Sequence, residues 1–279
     1  MPRRQIWLLI AAAGCAVSAA LVYLGVTLSS RVQFVDAAAD HGFIGLRRPS
    51  LVPIAQTVAH SVDPVPLLVI ALVLMGIAVV RGRYRVAAAV AVILVGANVT
   101  TQLLKPALAH ERFADWLGHE AGLIWPWPSG HSTAAMALAL CAVLVAPARL
   151  RSVVAALGAV FAVAIAYSLI TLGWHWPVDV LGGFLVAATW TLVAIVGLRE
   201  ADVRWAAGTG RDAARRVRDA LAPPAVAAAA AVVALTLIVV IRPGALDYMA
   251  EHPAALTGAV AIAALGTALA TGLTLVLRR

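Results

Sequence analysis

Apolar residues run along this chain in long stretches separated by short polar connections. They do not alternate residue by residue, as the strands of a membrane barrel would. A helix crossing the hydrocarbon core of a bilayer needs about 20 mostly apolar residues. Eight stretches reach or approach that length: 6–28, 65–80, 86–104, 132–146, 152–172, 178–198, 225–241 and 254–277. The second and fourth are short and draw on residues at their flanks. The pattern predicts an all-α fold, a polytopic transmembrane helix bundle.

Composition agrees. Of 279 residues, 63% are hydrophobic and 12% charged, with a mean hydropathy of +0.95, where a soluble domain is about half apolar and a quarter charged. That excludes an ordinary cytosolic enzyme, a disordered regulator and a disulfide scaffold. Cys15 and Cys141 fall inside apolar runs and suggest neither a disulfide nor a metal site. Arg3 and Arg4 ahead of the first run would suit a signal peptide, but the apolar character continues to Leu28. That is longer than a signal-peptide core of about 7–15 residues, so the stretch reads as an uncleaved helix.

The charges set an orientation. Eight crossings put both termini on one side, and that side holds fifteen of the 21 basic residues but only four of the thirteen acidic ones. Positive charge marks the cytoplasm, so the expectation is a multi-pass cell (plasma) membrane protein with both termini cytoplasmic. The net charge of +8 is then topology rather than nucleic-acid binding. All seven histidines lie in or beside the opposite loops, with five of the eight tryptophans, Trp116, Trp125, Trp127, Trp174 and Trp176. The tryptophans read as an interfacial belt. Histidine has no such default, and its clustering on one face points to chemistry there.

Three segments at outer helix ends carry candidate chemistry. The first, KPALAHER at 105–112, holds Lys105, the only lysine in the chain, and Arg112. A lysine at a helix end also snorkels to the interface without further purpose. The second, PSGHS at 128–132, reads as a helix start with Ser129 and Gly130. Free N–H groups and the positive dipole end make such a start an anion site, and His131 lies in its first turn. The third, GWHWPVD at 173–179, places Pro177 at a first helical position and Asp179 in the first turn. From there the carboxylate can reach back to one nitrogen of His175, fix the tautomer and leave the other nitrogen free.

Lys-x6-Arg, then Pro-Ser-Gly-His, then His-x3-Asp, on one membrane face, resembles the type-2 phosphatidic-acid phosphatase superfamily of membrane lipid phosphatases. The resemblance covers roughly residues 6–198. It implies a six-helix lipid-phosphatase core over 1–198, and the basic cytoplasmic linker over 199–224 and the two additional transmembrane helices over 225–279 that the apolar pattern predicts lie outside it. It also implies His175 as the nucleophile that takes the phosphoryl group, Asp179 orienting it, and His131 protonating the leaving oxygen. Lys105, Arg112, Ser129 and the Gly130 amide would hold phosphoryl oxygens, with no metal and no cofactor. Two positions depart from the family pattern. Leu169 stands where an arginine is usual, six residues before the nucleophile, and Phe113 follows Arg112 where proline is common. Arg31, Arg47 and Arg48, in the long first outer loop, are candidate replacements for the missing cation.

The expected activity is removal of phosphate from a lipid (pyro)phosphate at the outer face, from a polyprenyl diphosphate or a phospholipid phosphate. The partners are then the lipid substrate and the membrane. A phosphotransferase sharing the phosphohistidine step is an alternative, and so is a catalytically silent lipid-binding or transport member, for which Leu169 argues. In the last stretch Ala255, Ala259, Ala263, Thr267 and Thr271 form a small-residue stripe of the kind that permits close helix packing, within the chain or in a homodimer.

Overall fold

The computed structural model describes residues 3–111, 124–125, 127–204 and 244–277. The apolar stretches become helices, and five of those described are long and apolar enough to cross a membrane. They are α1 (Arg3–Leu28), α5 (Tyr84–Leu108), α7 (Arg151–Thr171), α8 (Pro177–Arg204) and α10 (Pro253–Val276). The stretch at 65–80 forms α4 (Pro64–Val80), which meets α3 (Val52–His60) at a 51° bend. The stretch at 132–146 forms α6 (Gly130–Val145), whose 16 residues rise about 24 Å at 1.5 Å each. The expected span at 225–241 and most of the expected linker lie outside the described residues. The linker's first residues, 199–204, continue α8 as helix.

The connection between α1 and α4 is not a plain loop, because it holds α2 (Ser30–Ile44) as well as α3. The Ser29 hydroxyl caps α2 by accepting from the Val32 N–H at 3.4 Å. Polar residues interrupt the apolar run in α2, so hydropathy does not reveal the helix, yet Asp36 and Asp40 are buried. A short α9 (Ala245–Glu251) precedes α10, and β1 (His110–Glu111) pairs antiparallel with β2 (Ile124–Trp125).

At the centre stands α6, with thirteen of its sixteen residues buried, as expected for a helix apolar all round. It packs against α4, α5, α7, α8 and α10. The outer helices instead expose apolar side chains, among them Trp7 and Leu21 of α1, Leu68 and Leu72 of α4, and Val95 and Leu103 of α5. A surface that apolar suits lipid rather than water.

Arginines close the helix ends. The Val145 carbonyl at the end of α6 accepts from Arg81 at 3.0 Å and Arg83 at 2.9 Å, and Leu144 accepts from Arg83 at 3.2 Å. The last carbonyls of α10 accept from Arg199 (Val276, 2.9 Å) and Arg151 (Leu277, 3.0 Å). Each bond satisfies a carbonyl that helix geometry leaves without a partner and sets a cation against the negative dipole end. The outer part of the small-residue stripe packs within the chain. Ala255 is fully buried against Gly42 of α2, and the Tyr167 hydroxyl of α7 donates to the Ala259 carbonyl at 2.7 Å.

Candidate active site

Two helix N-termini meet to form the floor of the site. Ser129 caps α6, its hydroxyl accepting from the Ser132 N–H at 3.3 Å, and α8 begins at Pro177 with Asp179 in its first turn. The Ser129 N–H donates to the Asp179 carbonyl at 3.0 Å, and the Trp127 indole donates to the Val178 carbonyl at 3.3 Å. Bare glycines permit this approach. A Cβ on Gly183 would stand 2.8 Å from the Ser129 carbonyl oxygen, and one on Gly182 would stand 2.5 Å from the Trp127 ring.

His175 lies just before α8, with its Nδ1 3.3 Å from Asp179 Oδ2. The two side chains are 9% and 0% exposed. The same carboxylate oxygen accepts from the Trp176 N–H at 3.0 Å. A carboxylate only accepts, so Nδ1 carries the proton and Nε2 keeps a free lone pair. A second buried carboxylate, Asp36 of α2, accepts from the Val178 N–H at 3.0 Å, so the start of α8 is held from two sides.

On the facing helix, His131 lies in the first turn of α6, within electrostatic reach of both His175 and Lys105. Lys105, in the last turn of α5, brings its ammonium over that same turn, 3.2 Å from where a Gly130 Cβ would stand. His131 Nε2 bonds Asp63 Oδ1 at 3.0 Å, and the other oxygen of Asp63 bonds His60 Nδ1 at 2.9 Å. The hydrogen bond from His131 holds the Asp63 carboxyl below the usual carboxylate range, and His60 adds to the effect. The Trp174 ring lies 5.2 Å from the His60 ring and 6.1 Å from the His131 ring.

His131, His175, Asp179, Ser129, Gly130 and Lys105 therefore lie together. Arg112 lies outside the described residues. Leu169 is fully buried in the apolar core. Among the candidate replacements, Arg47 donates to the carbonyls of Thr171 and Leu172 and so closes the end of α7, while Arg31 and Arg48 are exposed. Sequence reasoning missed Asp63 and His60 as site residues, since an Asp-Pro pair opening an apolar run reads as a helix cap. It missed Asp36 as well. A groove of about 650 Å³ leads from Lys105, Gly130 and His131 between α4, α5 and α6 toward Leu72, Met75 and Leu94.

Residues 82–201, which include Lys105, His131, His175 and Asp179, match the model of the PAP2 superfamily. The chain carries a PAP2-superfamily segment. That segment starts just ahead of α5 and ends within α8, so α2, α3, Asp63 and α10 stand outside it. The helix bundle also resembles a solved structure, the first transmembrane PAP2-type phosphatidylglycerolphosphate phosphatase from Bacillus subtilis. The TM-score is 0.57 at 21% identity, over 68% of this chain and 96% of that one. None of the curated proteins matches the chain.

Proposed function

We propose that the chain is an integral-membrane lipid phosphatase that acts through a phosphohistidine at His175. The observation that carries this reading is the His175–Asp179 pair, its Nε2 left free, beside a helix start that bears His131 and the Lys105 ammonium. Phosphoryl transfer asks a protein mainly for positioning and for compensation of charge on the equatorial oxygens. Lys105 and the first amides of α6 supply that compensation. His175 Nε2 attacks phosphorus while the bond from phosphorus to the lipid oxygen breaks, and protonated His131 gives its proton to that oxygen. Water then attacks the phosphohistidine and passes a proton to His131, which frees phosphate and restores both imidazoles.

The groove beside His131 suits the apolar chain of a substrate whose headgroup enters from the outer interface. Polyprenyl diphosphates and phospholipid phosphates both have that form. A phosphatidylglycerol phosphate belongs to the second group, and the similar Bacillus subtilis structure is titled for that activity.

The test is phosphate release by the purified protein in lipid vesicles, from a polyprenyl diphosphate, a phosphatidylglycerol phosphate and phosphatidic acid. Wild type is expected to release phosphate from at least one, and His175→Ala and His131→Ala from none. No release by wild type from any of them would overturn the reading and favour the catalytically silent alternative, for which the buried Leu169 argues. Transfer of the phosphoryl group to an added lipid acceptor, in place of release, would identify a phosphotransferase.

A further inference from the structure

The side chain of Asp63 does not do what its position invites. Asp63 is the N-cap residue of α4, where a carboxylate ordinarily accepts from the first free N–H groups of its own helix, yet it makes no such bond. It turns away and takes an imidazole on each oxygen, His131 Nε2 at 3.0 Å and His60 Nδ1 at 2.9 Å. His60 is the last residue of α3, so the bend between α3 and α4 is what presents both groups to the first turn of α6. Trp174, next to His175 in the chain, flanks both rings.

We propose that Asp63, clamped by His60, is the positioning residue of the general acid His131, so that the site contains two imidazole–carboxylate pairs with opposite tasks. This rests on the phosphatase reading and adds residues that lie outside the PAP2 segment. The carboxylate fixes a proton on His131 Nε2, which leaves Nδ1 as the nitrogen available to the reaction. The Asp179 pair leaves His175 Nε2 as a lone pair for attack. The Asp63 carboxylate works toward the cationic ring of His131, against the burial, His175 and Lys105 that together push its pKa down, and the Nδ1–H of that ring is released to the departing lipid oxygen as the bond to phosphorus breaks. The groups facing His131 are Asp63 and His60 from α3 and α4, Lys105 from α5, and Trp174 and His175 from the connection before α8. Among these described groups Asp63 supplies the negative charge that offsets Lys105 at the acid.

The test separates the acid step from the rest of the reaction by the leaving group. An alkyl lipid phosphate needs a proton on its departing oxygen, whereas an aryl phosphate with an acidic phenol leaves with little help. Asp63→Asn keeps the shape and removes the charge. Its loss on the lipid phosphate is expected to be about 10–100-fold, smaller than the 10²–10⁴ that the general acid itself contributes, and to exceed its loss on p-nitrophenyl phosphate by at least tenfold. The basic limb of its pH–rate profile should move about one unit lower, because the proton of His131 is then held less firmly. Asp63→Glu should recover part of the rate, and His60→Gln should reproduce a weaker form of the same pattern even if Asp63→Asn folds poorly. Equal losses on both phosphates, with the basic limb unmoved, would overturn the proposal while leaving the phosphatase reading intact. No phosphate release by wild type would instead remove that reading, and this one with it.

Discussion

The Ser129 N–H donates to the Asp179 backbone carbonyl across 3.0 Å. With the bond from the Trp127 indole to the Val178 carbonyl, it joins the start of α6 to the start of α8, and so joins the helix bearing His131 to the segment bearing His175. The site is therefore as stable as the contact between two helix N-termini.

Gly183 controls that contact. A methyl group there would meet the Ser129 carbonyl oxygen at 2.8 Å and Thr133 Oγ1 at 2.9 Å, backbone and short side chain that have little room to shift. Gly183→Ala should destabilise the protein by about 1–3 kcal/mol, the usual cost of overpacking, and depress phosphate release more than the thermal shift explains. Thermal unfolding in detergent alongside activity at a temperature where the variant is folded checks both.

Asp179→Asn keeps the volume of the side chain and removes the charge that fixes the Nδ1 proton of His175. Changing an orienting carboxylate to an amide beside a catalytic histidine has cost about 10⁴-fold in a serine protease. A loss on that order is expected here in phosphate release, with the helical circular dichroism unchanged. Retention of most of the activity would show that His175 does not depend on its carboxylate.

The reaction requires His175 neutral and His131 protonated, so the pH–rate profile should be bell-shaped. Asp63 does not supply its acid limb. The bond from His131 lowers the Asp63 carboxyl in the folded protein, so this group stays ionised above its usual value of about 3.9. What it adds to stability is present there and is lost only as pH falls through the lowered value. Phosphate release measured across mildly acidic to alkaline pH should fall on both sides, and a flat profile would contradict two imidazoles with opposed duties.

Arg47 was a candidate replacement for the family arginine, but it donates to the carbonyls of Thr171 and Leu172 at the end of α7, just before the loop that carries His175. Arg47→Ala should therefore lower the unfolding temperature and reduce kcat while leaving KM nearly unchanged. A selective rise in KM would instead mark Arg47 as a phosphate ligand.

Much of this site was legible because its parts are local. The Ser129 cap, Pro177 at a helix start and the four-residue step from His175 to Asp179 are short-range patterns that helix geometry converts directly into positions. The apolar runs likewise become helices because a bilayer leaves backbone groups no other partner. The bend before Pro64 was not legible in the same way, since no local pattern says that a capping aspartate will leave its own helix for an imidazole 68 residues away. Helix α2 stayed hidden for a related reason. Its buried acid Asp36 looks like a loop residue until the start of α8 is packed against it.

The guanidinium groups of Arg81, Arg83, Arg151 and Arg199 seal the carbonyl ends of α6 and α10, and they also belong to the arginine-rich side of the sequence. One set of side chains thus carries the charge pattern that reads as an orientation signal and also stitches the helices shut. An engineer who replaced those arginines to change that signal would at the same time strip the carbonyl ends of α6 and α10 of their donors.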